Sequence, residues 1–259
     1  MRVIRIRYRG TVFFAALQNN GAVCLNRQLG IDAPIPFEEF SLLPVVAPSK
    51  IICVGLNYKG HAAELDFPVP VEPVFFLKAP SSIIGNGQPI ILPEATGRID
   101  HEGELAIVMG RQCRNILPEQ ARENIFGFTC ANDVTARDIQ KRDGMFGRCK
   151  GFDTFCPIGP WIEAEIDDPG DLTIRTYVND DLRQSGSTSD MLFHPFELIS
   201  SISRVMTLLP GDVILTGTPE GIGPLRDGDS VRVEIDRVGT LSNPVLAENG
   251  TDTADAPLQ

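Results

Sequence analysis

The apolar residues of this chain come in short, partly β-branched runs set between glycine and proline. Ile51-Ile52-Cys53-Val54, Val74-Phe75-Phe76-Leu77, Leu105-Ala106-Ile107-Val108-Met109 and Val213-Ile214-Leu215 are of this kind. Runs this short suit strands, whereas a globular helix needs a longer apolar periodicity. With Gly 24 and Pro 20 among 259 residues, turns must be frequent. The predicted fold is therefore mainly β, of the α+β class, with short helices. Periodicity predicts an amphipathic helix over residues 195–206, with Pro195 near its start and His194 as the entry residue. Pro118 opens a shorter helix.

The first strands alternate: Val3-Ile4-Arg5-Ile6-Arg7-Tyr8 runs to an Arg9-Gly10 turn and returns through Thr11-Val12-Phe13. Residues 1–47 read as a small N-terminal β accessory domain, 48–246 as the main domain and 247–259 as a polar tail. Within the main domain, residues 81–93 read as a hairpin around Gly85-Asn86-Gly87. A formal net charge of −11 argues against nucleic acid and against an anionic membrane surface as partners. The six cysteines are scattered and form no Cys-x-x-Cys, which suits reduced thiols in the cytoplasm. No apolar run is long enough to span a membrane, and Met1-Arg2-Val3-Ile4-Arg5 is not a signal peptide.

His101-Glu102-Gly103-Glu104 enters the Leu105–Met109 run. Side chains alternate along a strand, so Glu102 and Glu104 share a face, and Gly103 lets another group come close to the backbone. Adjacent carboxylates repel, and a hard divalent cation makes such a pair favourable. The plain alternative is two solvated glutamates at a strand end. His61 and Glu64 lie three apart, so one helical turn places an imidazole beside a carboxylate, as a general base requires. The alternative is a surface pair. If the chain turns helical after Cys130-Ala131-Asn132, then Asp133, Arg137 and Gln140 share one face. Lys150, among small and apolar residues, is either a pinned structural cation or a donor to a developing oxyanion. Lys78 faces the site or caps a strand at the surface. Gly217-Thr218-Pro219 is neither a Walker loop nor a Rossmann fingerprint, but it can offer Thr218 and backbone N–H groups to a carboxylate.

Five blocks together resemble the fumarylacetoacetate hydrolase (FAH) family, in its order, from Ile51 onward. They are Val54-Gly-Leu-Asn-Tyr-Lys-Gly-His61, His101-Glu-Gly-Glu-Leu105, Asn132-Asp-Val-Thr-Ala-Arg-Asp-Ile-Gln140, Lys150-Gly-Phe-Asp-Thr-Phe-Cys-Pro157 and Leu215-Thr-Gly-Thr-Pro219. The resemblance implies a mixed β-sandwich roll, a homodimer, and a Mg²⁺ or Mn²⁺ site, for which Ca²⁺ can stand in. It implies Glu102, Glu104 and Asp133 as metal ligands, and His61 with Glu64 as the water-activating dyad on a segment that orders over substrate. Lys150 would stabilise an enolate or oxyanion. Arg137, Gln140 and Thr218 would bind a 2-oxo acid substrate. Asn57 stands where the founding member has a further aspartate ligand, and Leu56 where some acylpyruvate-cleaving members have a basic residue. The retained dyad favours hydrolytic C–C cleavage of acylpyruvate-like compounds, as in aromatic-compound catabolism. Isomerisation or tautomerisation of 2-hydroxy-diene-dioates or oxaloacetate, and decarboxylation, are the alternatives within the family. A protein that binds a cation or small acid without turnover is the alternative outside it.

Overall fold

The structure is a computed structural model that describes residues 1–248. Its largest sheet runs in the order Gly21–Cys24, Thr11–Gln18, Arg2–Tyr8, Cys156–Glu163, Ile125–Asn132, Gly103–Met109, Val213–Leu215, Ile51–Gly55, Val74–Lys78. A second sheet carries Asp181–Ser187, Thr173–Val178, Ser230–Ile235, Gly239–Ala247 and Ile90–Leu92. Thr135–Ala136, Ile99–His101 and Gly223–Pro224 make a small third sheet. The protein is mainly β with short helices, as predicted.

The Gly103–Met109 strand lies inside the large sheet and is buried on both faces. Leu105, Ile107 and Met109 pack with Phe128, Ile174, Val233 and Leu241, which joins the large sheet to the second one. The Pro195–Val205 helix adds Leu198, Ile199 and Ile202 to that core. Its start is capped by His194, whose ring nitrogen accepts the Phe196 N–H, and Glu197 accepts the His194 N–H. Ala106 and Val108 point the other way, into a second cluster with Ile51, Cys53, Ala131, Ile158 and Val213. Strand parity assigns Glu104 to the Ala106 and Val108 face, Asp133 to that of Ala131, and Lys78 to that of Phe76. Strand by strand, alternation thus delivers charged residues to one end of a single sheet face.

Several elements differ from the sequence expectation. Residues 81–93 are not a hairpin. Ile83–Ile84 pairs in parallel with Cys156–Pro157, and Ile90–Leu92 pairs in parallel with Val245–Ala247 in the other sheet. Long-range partners outbid the local turn. The Pro118 segment is two consecutive 3-10 turns, Pro118–Gln120 and Arg122–Asn124. Asp133 is not helical: Thr135–Ala136 first pairs with Ile99–Asp100, and the helix begins at Arg137. The N-terminal strands form the predicted antiparallel unit, and the first of them continues the large sheet by placing Val3 opposite Ile162. Of the predicted tail, Ala247 ends the last strand and Glu248 donates its N–H to the Leu92 carbonyl. Residues 249–259 lie outside the described residues. All six cysteines are free.

Phe128 is fully buried between the sheets. Phe128→Ala should cost about 3–5 kcal/mol by loss of burial and cavity formation. A fall in the urea midpoint would report it. Val71→Ala, at a position 97% exposed, should shift the same midpoint by less than about 0.5 kcal/mol equivalent.

Candidate active site

Glu102, Glu104 and Asp133 are buried, and one carboxylate oxygen of each lies within 4.8 Å of the others. The backbone enforces this convergence. Gly103 pairs with Asn132, the Asp133 N–H donates to the Glu102 carbonyl at 2.8 Å, and the Glu102 N–H donates to the Asn132 side chain at 2.9 Å.

Cations surround the cluster. The Lys150 ammonium sits 2.7 Å from both Glu102 and Asp133. Lys78 donates to Asp133 and, at 2.6 Å, to the Phe155 carbonyl. Arg137 donates to Glu102, to Asp100 at 2.8 Å and to Gln140 at 3.0 Å. Glu104 forms no ion pair among the described residues. It accepts the Gly217 N–H at 2.7 Å, and Gly217 must be glycine, because a Cβ there would lie 2.8 Å from the Asn57 side chain at a φ of 97°.

Burial opposes charge on Glu102, but Lys150 and Arg137 outweigh it and hold the carboxyl below the ordinary range. Burial and the neighbouring Asp133 and Glu102 carboxylates push Glu104 well above it. Burial opposes the Lys150 charge too, yet Asp133 and Glu102 raise its pKa. Burying so many charges is costly for stability, and such clusters mark functional sites.

The dyad stands on the short Lys59–Glu64 helix. His61 Nδ1 lies 3.2 Å from one Glu64 oxygen, and the other accepts the Gly221 N–H at 3.1 Å. A Cβ at Gly60 would fall 2.0 Å from the carboxylate of Glu220, an exposed and flexible side chain. Asn57 is not free to act as a ligand. Its amide donates to the Thr216 and Phe193 carbonyls, and its oxygen accepts the Phe193 N–H.

One cavity of about 60 Å³ is lined by His61, Glu102, Glu104, Asp133, Arg137, Gln140, Lys150 and Thr218, with Leu56, Leu65, Phe67, Phe76 and Phe146 as apolar walls. Of the site residues expected from sequence, only Glu64 stands behind this lining, reaching the cavity through His61. The Thr218 hydroxyl is already engaged: it donates to the Gly103 carbonyl at 2.8 Å and accepts from Gln184 at 2.7 Å. The sequence left two participants unassigned. Lys78 is buried and paired with Asp133, for which an ammonium ending the apolar Phe75-Phe76-Leu77 run was the available signal. Asp100, which pairs with both Arg98 and Arg137, carried no local signal.

Residues 50–246 match the family model described as fumarylacetoacetate (FAA) hydrolase C-terminal. The chain belongs to the fumarylacetoacetate hydrolase family. It is 45% identical, over 78% of its length and 71% of the relative's, to the oxaloacetate tautomerase YisK of Bacillus subtilis. A 2-hydroxyhepta-2,4-diene-1,7-dioate isomerase from Mycobacterium marinum superposes with a TM-score of 0.86 at 42% identity, over 96% of this chain and 99% of that one. A maleylpyruvate hydrolase from Sphingobium sp. SYK-6, solved with manganese(II) and pyruvate, superposes with a TM-score of 0.80 at 33% identity, over 96% of this chain and all of that one. FAH enzymes use divalent metals, and the donor set here fits one: three converging carboxylates, with Glu104 lacking a cationic partner.

A divalent ion bound through Glu104 must displace the proton that its neighbours favour there. Mn²⁺ affinity should therefore rise with pH, by up to about tenfold per unit while that carboxyl is protonated, and level off once it is ionised. Mn²⁺ titrations at several pH values check this, and Glu104→Gln should weaken binding and flatten the dependence.

Proposed function

We propose that this FAH-family enzyme is a Mg²⁺- or Mn²⁺-dependent tautomerase or isomerase of 2-oxo diacids of the oxaloacetate type. The observation that carries the reading is the meeting of a carboxylate-backed imidazole, a buried ammonium and three carboxylates in one cavity. Glu102, Glu104 and Asp133 would hold the divalent ion, which would supply Lewis-acid polarisation of the 2-oxo group. The chain's own residues do the rest. His61 takes a proton from the carbon beside the 2-oxo group and returns it to the oxygen, or in a conjugated diacid to a carbon farther along the π system. Glu64 orients the imidazole and stabilises its charged form. Lys150 offers its N–H donors to the oxygen on which negative charge develops. Arg137 and Gln140 orient the substrate carboxylate, with Thr218 beside them. The apolar walls exclude water from these charges.

Hydrolytic C–C cleavage, the reaction favoured from sequence, is the second reading. It uses the same dyad to activate water, and the maleylpyruvate hydrolase neighbour supports it. Tautomerisation is placed first because relatives named for tautomerase or isomerase activity are more similar to this chain, at 45% and 42% identity, than that hydrolase, at 33%.

Removal of divalent metal should abolish oxaloacetate enol–keto conversion, and Mg²⁺ or Mn²⁺ should restore it. His61→Ala should slow conversion by about 10²–10⁴, the usual worth of a general base, while Mn²⁺ binding persists. Glu64→Gln should slow it too. Pyruvate release from acetylpyruvate, followed beside the conversion, separates the two readings. Rapid release without enol–keto conversion would make the enzyme a hydrolase.

A further inference from the structure

The Gly103–Met109 strand loses one neighbour where the carboxylates stand. Its ladder with Val213–Leu215 ends at the Ala106 and Leu215 pair. The Thr216 N–H still reaches the Leu105 carbonyl, but the neighbouring strand has ended. Glu102 turns its N–H and C=O toward Asn132 and Asp133. Gly103 turns its own to the opposite edge, where no ladder remains. Gly103 is buried, and a buried backbone group without a partner is unfavourable.

Two side chains take the place of the missing strand and close a ring with Gly103. The Gly103 N–H donates to the Gln184 side-chain oxygen at 2.9 Å. The Gln184 amide nitrogen donates to the Thr218 hydroxyl at 2.7 Å, and that hydroxyl donates to the Gly103 carbonyl at 2.8 Å. A backbone N–H can only donate, so the first bond fixes the orientation of the amide and the direction of the other two. The same Gln184 oxygen faces His101 Nδ1 at 3.2 Å, and the amide nitrogen also reaches the Pro219 carbonyl at 2.7 Å. Gln184 is fully buried. It arrives from the second sheet, on the Asp181–Ser187 strand, opposite Thr176. Glycine permits the approach at two points. A Cβ at Gly103 would collide with the Thr176 hydroxyl, and a Cβ at Gly221 with the Arg183 carbonyl.

We propose that Gln184 is a positioning residue that sets the Glu102 and Glu104 carboxylates for the metal through its ring with Gly103 and Thr218. The Gly103 N–H belongs to the peptide that joins it to Glu102, and the C=O to the peptide that joins it to Glu104. Holding both fixes the direction in which each glutamate leaves the backbone. The Thr218 hydroxyl serves this ring and not a substrate carboxylate, because its single proton is directed to Gly103. The assignment rests on the reading of Glu102, Glu104 and Asp133 as ligands of a divalent ion, and deepens it.

The test reads Mn²⁺ affinity from the free-ion EPR signal at constant pH and needs no turnover. Gln184→Met keeps the side-chain length and loses the amide. It should weaken Mn²⁺ binding by about 10–100-fold, the usual effect of removing a group that orients a metal ligand. Thr218→Val should weaken it similarly, and Thr218→Ser should keep the parent affinity. The double variant Gln184→Met with Thr218→Val should bind no worse than the weaker single one, since either change opens the same ring. A lowered unfolding midpoint in Gln184→Met with unchanged Mn²⁺ affinity would make the residue structural only and overturn the assignment. A Thr218→Val variant that keeps Mn²⁺ affinity but loses affinity for oxalate would overturn it too, since the hydroxyl would then serve the substrate. One measurement needs no variant. Labelling with carbonyl-¹³C glutamate and ¹⁵N glycine selects Gly103 and Gly221, the two glycines that follow a glutamate. Slow amide exchange is expected at Gly103, and fast exchange at both would overturn the ring. Failure of the parent to bind Mn²⁺ would overturn the metal reading and the role of Gln184 with it.

Discussion

The structure turns on the Lys150 ammonium held between Glu102 and Asp133. Three carboxylates buried at the end of a sheet face would repel one another strongly in a medium less polar than water. Lys150, Lys78 and Arg137 reduce that repulsion, and each arrives from a separate element: the Phe146–Lys150 helix, the Val74–Lys78 strand and the Arg137–Asp143 helix. The cluster therefore draws its charges from parts of the chain far apart in sequence. Glu104 is left with a backbone N–H as its donor. That asymmetry leaves Glu104 as the one carboxylate of the three without a cationic partner among the described residues.

Two-sided burial of the Gly103–Met109 strand is what makes such a site affordable. Leu105, Ile107 and Met109 anchor one face in the core between the sheets, and Ala106 and Val108 anchor the other. A one-residue slip would move Glu104 from the Ala106 and Val108 face into the core between the sheets. Register is thus enforced by the core, and the carboxylates take their positions from it. The dyad is held differently. His61 and Glu64 ride on a helix of 6 residues, and Glu64 accepts the Gly221 N–H.

Much was legible in the sequence because it is local. The β class followed from short apolar runs bounded by glycine and proline. Glu102 and Glu104 share a face through strand alternation, and His61 meets Glu64 through helical spacing. The block order from Val54 to Pro219 identified the family. Each of these needs only the neighbours of a residue along the chain.

Tertiary structure decided whatever depends on which strands lie side by side. Lys78 pairs with Asp133 across 55 positions of sequence, and Arg137 reaches Asp100 across 37. Residues 81–93 look like a hairpin locally, yet they split between two sheets because Cys156–Pro157 and Val245–Ala247 offer longer-range pairing. Asp133 sits on the right face, though by strand geometry and not by the helical phase that the sequence suggests, because Thr135–Ala136 first pairs with Ile99–Asp100. Periodicity records which face of an element is apolar, but not the element that face will meet. Charge partners and chamber walls are set by that meeting, and so they emerge only with the fold.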